Sequence, residues 1–349
     1  MYRRAYALLI GTAVVMGLWA IITALAVDRR LVDPEGSFLG PSWLRLPLLL
    51  LGAVAVDLVP RTLWKSRFRP SEIPGIFRDR LRTHWNRERL TLVFLGIGCF
   101  YITYGSYRNI KSFLPFVREQ MYDRELLLMD RALFFGNNPA DLLHTVLGTN
   151  VSAWVLSYIY LWFLPLVPLA VTAWVVWARN LSFGYWFVTS QCIAWSLGTL
   201  SYYALPTLGP GLEYGFLGYN DLADTPTKTL MDSLVNGRQN VVIGVDTGAV
   251  QSVAGFASLH CAITLLLALM VQYTLRSAAL KWIAWVNFGI TVIATIYFGW
   301  HYVADDIAGI MIALVSFYLG GLATGQKFDH AGMASHPTTT TSRIPVSRD

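Results

Sequence analysis

The segment YFGWHYVADDIAG, residues 297–309, sets His301 and Asp305 four positions apart. On a helix that spacing stacks the two side chains on one face. A carboxylate so placed accepts one imidazole N–H, fixes the tautomer and raises the basicity of the other nitrogen. A histidine held in this way can act as a nucleophile. A second histidine, His260, opens the apolar run GFASLHCAITLLLALM at 255–270. Within reach of the first, it could give a proton to a leaving oxygen. Each feature alone has a plainer explanation. An interfacial histidine is often a polar tip at headgroup level, and His-x-x-x-Asp recurs by accident on helices.

Whether the two meet depends on the elements that carry them. Hydrophobic residues make up 55% of the 349-residue chain and charged residues 14%, where soluble domains carry roughly 25% charged residues. The 13 Trp, 17 Tyr and 18 Phe suit aromatic belts at membrane interfaces. The chain reads as an all-α, polytopic membrane helical bundle. Eight apolar segments approach the roughly 20 residues a span needs. They lie near 5–27, 43–60, 91–107, 152–177, 183–205, 256–275, 281–299 and 302–323. The first follows MYRR but is long and lacks a small-residue cleavage site, so it reads as a retained helix.

Basic residues set the orientation. The stretch 61–90 holds nine Lys and Arg against three acidic residues and is expected in the cytoplasm. Eight spans then leave both termini inside, with Arg3, Arg4, Arg179, Arg276 and Lys281 agreeing. This bias also explains the net charge of +6 without a nucleic-acid partner. The same count sends 108–151, 206–255 and the turn near 300 outside. His260 and His301, 41 positions apart, are thus separated by about two spans and a turn and share the extracytoplasmic face. The other four histidines lack such a setting. His84 sits in the basic loop, His144 in an outside loop without a motif, and His330 and His336 in the tail. Cys99, Cys192 and Cys261 fall in apolar segments and suggest neither a disulfide nor a metal site.

Ser258-Leu259-His260, followed by His301-Tyr302 and Asp305, resembles the type 2 phosphatidic acid phosphatase (PAP2) superfamily. More narrowly, it resembles the branch of inositol phosphorylceramide synthase and the sphingomyelin synthases. The general second motif is P-S-G-H; Ala257 and Leu259 stand in place of Pro and Gly. In the third motif Ala294 and Thr295 replace Ser and Arg, and the synthase-like branch also lacks that Arg. The resemblance covers 91–323. It implies a six-helix catalytic core at 91–325 with two added helices in front, which with the basic cytoplasmic loop make up 1–90; the polar, Thr- and Ser-rich stretch 326–349 reads as a disordered cytoplasmic tail. It further implies that His301 attacks phosphorus, Asp305 orients it, His260 protonates the leaving alcohol, and Ser258 donates to a phosphoryl oxygen. No metal or cofactor is implied.

Phosphoryl transfer also needs cations near the equatorial oxygens. The family's first motif, K-x6-R-P, is missing from 202–215, which carries no Lys or Arg. Arg108 and Lys111 after the third span, and Arg238 before His260, are the candidate substrate-binding cations; each could equally be a side chain snorkelling to the headgroups. The stretch 117–136 reads as an interfacial amphipathic helix. The leading expectation is an enzyme moving a phosphoryl or phospho-headgroup from a phospholipid to a lipid-linked or sugar alcohol in the bilayer. Hydrolysis of a lipid phosphate or diphosphate is the alternative. A transporter or scaffold would leave the His-His-Asp placement a coincidence. Donor, acceptor and oligomeric state have no readable code.

Overall fold

The computed structural model describes residues 3–33, 42–178, 180–214, 222–243, 253, 255–326 and 328. Arg179, Lys327 and the tail beyond 328, with His330 and His336, lie outside the described residues. Among the described residues the chain forms thirteen helices and no strands. The first six are α1 (Arg3–Ala26), α2 (Ser42–Lys65), α3 (Ile73–Thr83), α4 (Arg87–Val117), α5 (Asp123–Leu133) and α6 (Pro139–Leu147). The others are α7 (Val151–Trp177), α8 (Leu181–Ala204), α9 (Pro210–Glu213), α10 (Pro226–Val242), α11 (Leu259–Thr274), α12 (Ala278–Tyr297) and α13 (Val303–Ala323).

The eight apolar segments each become a helix: α1, α2, α4, α7, α8, α11, α12 and α13. Five of these, α1, α4, α7, α12 and α13, are long and apolar enough to cross a membrane. Helix α11 is apolar but has only 16 residues. Helix α8 has a different reason for its lower apolarity. It runs through the middle of the bundle, touching α4, α13, α1, α7 and α11. Its Thr189, Ser190 and Gln191 are fully buried in protein. A helix shielded from lipid by its neighbours can carry polar groups.

Helix starts follow from side-chain caps. Asn86, Asn138, Asn180, Thr225, Ser258 and Ser277 each accept from a backbone N–H two or three residues ahead. This satisfies donors that the first turn leaves unpaired. Little hydrophobic force separates a helix from lipid, so close approach matters more. Gly198 lies against Leu259, Gly320 against Ser190 and Gly309 against the Ser258 carbonyl. The Gly309 contact joins α13 to the start of α11, and the struck atom is backbone that cannot swing aside. Gly309→Ala is therefore expected to cost about 1–3 kcal/mol and to lower both unfolding midpoint and turnover. Thermal unfolding in detergent beside a turnover assay checks this; a wild-type midpoint would mean that the contact yields.

Several boundaries differ from the expectation: α2 runs on to Lys65, the helix read over 117–136 is confined to Asp123–Leu133, and the third span differs most. The third span, read as ending at 107, continues to Val117. Arg108 and Lys111 therefore lie within α4 and not in the loop behind it. Averaged hydropathy falls there because two basic residues enter the window. The helix continues because Ile110, Phe113 and Leu114 still bury an apolar face.

Candidate active site

The first turn of α13 builds the histidine–carboxylate pair. Tyr302 is the extended N-cap residue, and Asp305, three residues on, reaches back so that Oδ2 accepts the Tyr302 N–H at 3.0 Å. The same oxygen lies 3.2 Å from His301 Nδ1. Asp305 is fully buried and His301 nearly so. With Nδ1–H donated to the carboxylate, the neutral imidazole keeps its lone pair on Nε2.

Helix α11 is fixed to that turn. The Ser258 N–H donates to the Asp305 carbonyl at 2.9 Å. Two residues further, His260 has its ring centroid 6.5 Å from that of His301. Behind the pair, the Cys261 thiol and the Thr295 hydroxyl both donate to the Asp306 carboxylate, at 2.9 and 2.8 Å. The segment Pro206–Pro210 braces both histidine-bearing ends. Thr207 accepts Phe256 N–H on its hydroxyl and Gly255 N–H on its carbonyl, each at 2.8 Å. Gly209 has φ +97° and lies against the Trp300 carbonyl, leaving no room for a Cβ.

Helix α5 locks this brace. Asp123 accepts Leu208 N–H, Gly209 N–H and the Tyr302 hydroxyl, each at 3.0 Å. Asp130 accepts Val303 N–H at 3.2 Å, at the positive end of α13. Burial raises the carboxyl groups of both residues above the usual range. Asp130 is pushed up to about 6, first by burial and then by Asp305 and Asp306. A raised acid binds its proton more tightly in the folded state. Its stabilising contribution is complete below about pH 4 and is lost as pH rises through about 6. Asp130→Asn removes this loss and keeps an acceptor for Val303. The variant is expected to gain on the wild type in unfolding midpoint between pH 4 and pH 7; a constant difference across that range would contradict the assignment.

A cavity of about 290 Å³ opens between the two histidines. Arg108 and Lys111 of α4 line it together with Tyr104, Tyr107, Tyr160 and Tyr202. Lys111 is buried, its Nζ 4.9 Å above the Tyr202 ring. Leu161, Leu164, Leu212, Leu230 and Leu234 give the same cavity an apolar wall. Leu164 is also 56% exposed on the outside of α7, so that wall reaches the surface a bilayer would cover.

Five of the seven residues singled out from the sequence thus gather here: His260, His301 and Asp305, with Arg108 and Lys111. Asp305 stands behind His301, and the other four line the cavity; Ser258 and Arg238 do not join them. The Ser258 hydroxyl caps α11 by accepting Cys261 N–H, and the residue is fully buried. Arg238 sits half-buried on α10; burial lowers its pKa, and the carboxylates of Glu213 and Asp123 act in the opposite direction. The other two described histidines have structural bonds: His144 Nε2 lies 2.8 Å from the Tyr297 carbonyl and His84 Nε2 3.0 Å from the Val176 carbonyl. Sequence reading missed the roles of Asp123, Asp130, Tyr160 and Phe163. The acidic pair carried a weak signal, being seven apart and so on one side of an amphipathic helix; the aromatic residues carried none among so many.

An all-helical bundle with several membrane-length helices, holding a His–Asp pair opposite a second histidine, defines the class. The family model of the PAP2 superfamily matches residues 124–319, more than half of the chain. The chain belongs to that superfamily. The matched stretch contains both histidines and Asp305, while α4 with its two cations precedes it. No curated protein and no solved structure matches the chain.

Proposed function

We propose that the protein is a lipid phosphotransferase of the bilayer. In this reading His301 Nε2 attacks phosphorus, and the bond from phosphorus to the donor's oxygen breaks. His260 gives that oxygen its proton, leaving a phosphohistidine. His260, now neutral, takes the proton of an acceptor alcohol whose oxygen attacks phosphorus and frees His301. Asp305 holds the Nδ1 proton throughout and stabilises the cationic imidazole. Arg108 and Lys111 neutralise charge on the equatorial oxygens, and Ser258 acts by capping the helix that presents His260.

The observation that carries the reading is the convergence of His301–Asp305, His260 and two α4 cations on one cavity. Its leucine wall suits an alkyl chain. Ser258-Leu259-His260 and His301-Tyr302 favour the inositol phosphorylceramide synthase-like branch, in which the acceptor is an alcohol. Basic-residue placement supports eight crossings, cytoplasmic termini and an extracytoplasmic site. With labelled phospholipid in detergent, product is expected to form several-fold faster when an acceptor alcohol is added. Phosphate or phospho-alcohol released at the same rate without any acceptor would instead identify a lipid phosphatase.

A further inference from the structure

His301 and His260 are held by different physics. His301 is tied by a hydrogen bond to Asp305. Among the described residues no hydrogen bond reaches the His260 ring. Two aromatic rings of α7 hold it instead. Tyr160 stacks on it with centroids 4.3 Å apart and planes 14° apart. Phe163, one turn further along α7, tilts against it at 4.1 Å and 36°. Trp300 lies parallel to Tyr160, at 5.9 Å and 7°. Trp300 adjoins the nucleophile in sequence, so the stack Trp300–Tyr160–His260 links the two histidines through α7.

Stacking suits an acid–base imidazole. It occupies the faces of the ring and fixes its plane, while both nitrogens stay free at the edge. A hydrogen bond would consume one of them. Aromatic pairs contribute about 0.5–1.5 kcal/mol beyond area burial, enough to favour one orientation of a side chain that would otherwise sample several.

We infer that Tyr160 and Phe163 are positioning residues that aim His260 at the leaving oxygen by clamping its ring. The inference rests on the proposed acid role of His260. Leaving groups test it. The alkoxide of an alkyl phosphate monoester is a strong base and needs the proton to leave; p-nitrophenolate leaves with little help. A clamp that aims the acid therefore matters for the first and not for the second.

The experiment compares Tyr160→Leu with the wild type in detergent, reading the burst of alcohol or nitrophenol released in the first turnover. Tyr160→Leu is expected to slow the alkyl ester by about 10- to 100-fold, a partial loss of the roughly 10²- to 10⁴-fold that general acid catalysis supplies, and the aryl ester by much less. Tyr160→Phe, which keeps the ring, is expected to restore most of the alkyl rate. Should Tyr160→Leu fail to fold, Phe163→Leu carries the same comparison. Equal slowing of both esters, or no slowing of either, overturns the clamp. A wild type that releases neither alcohol, or a His301→Ala variant that still releases both, overturns the phosphohistidine reading instead.

Discussion

His301→Ala is expected to lower turnover of a lipid phosphate by at least about 10⁴-fold, the scale seen when a covalent nucleophile is removed. The fold should survive the change. His301 contributes one hydrogen bond, to Asp305 Oδ2, and that oxygen keeps the Tyr302 N–H. The ring lines a cavity, so its loss enlarges a space already open and leaves no sealed void in packed core. An unchanged unfolding midpoint beside lost turnover separates chemistry from stability. Wild-type turnover in this variant would end the nucleophile assignment.

The second large effect is on architecture. Asp123→Leu removes the acceptor for the N–H groups of Leu208 and Gly209 and for the Tyr302 hydroxyl. The residue is 2% exposed, so water cannot readily replace it. A buried donor left unpaired costs about 1–3 kcal/mol. Three such donors sharing one acceptor point to roughly 3–5 kcal/mol, since the losses do not add in full. Some of this is returned, because burying a carboxylate is itself unfavourable, as its raised pKa indicates. Asp123→Asn keeps one acceptor oxygen and should lose less than half as much. Turnover should fall with Asp123→Leu as well. The segment that Asp123 pins contacts Phe256 on one side and Gly299 and Trp300 on the other. Unfolding midpoints of the two variants check the order; equal loss in both would show that the carboxylate charge, not the number of acceptors, matters.

The helical class and the pairing of His301 with Asp305 were legible because each has a local signature. Apolar runs near 20 residues mark helices, and an i, i+4 pair marks one face. The meeting of His260 with His301 required only that two helices and a turn return the chain to its starting side. Other features depended on what tertiary neighbours supply. Arg108 and Lys111 looked like a loop because hydropathy averages around a helix, while α4 hides one apolar face and presents the other to the cavity. Ser258 looked like a phosphate donor, yet a serine preceding an apolar run is also the usual helix cap, and the hydroxyl caps α11. Arg238 was judged by closeness in sequence to His260; on α10 it is half-buried and feels the charges of Glu213 and Asp123. Tyr160 and Phe163 could not be picked from a chain with 48 aromatic side chains of these three kinds. Only the crossing of α7 over α11 selects them.

The central claim is a covalent phosphoryl group on His301. Enzyme mixed briefly with donor carrying labelled phosphorus, then denatured in alkali, should retain label that is released by mild acid, the stability pattern of a phosphoramidate. Peptide mapping should assign the label to the segment containing His301, and His301→Ala should retain none. Label that survives acid, maps to another residue, or persists in His301→Ala would contradict the account.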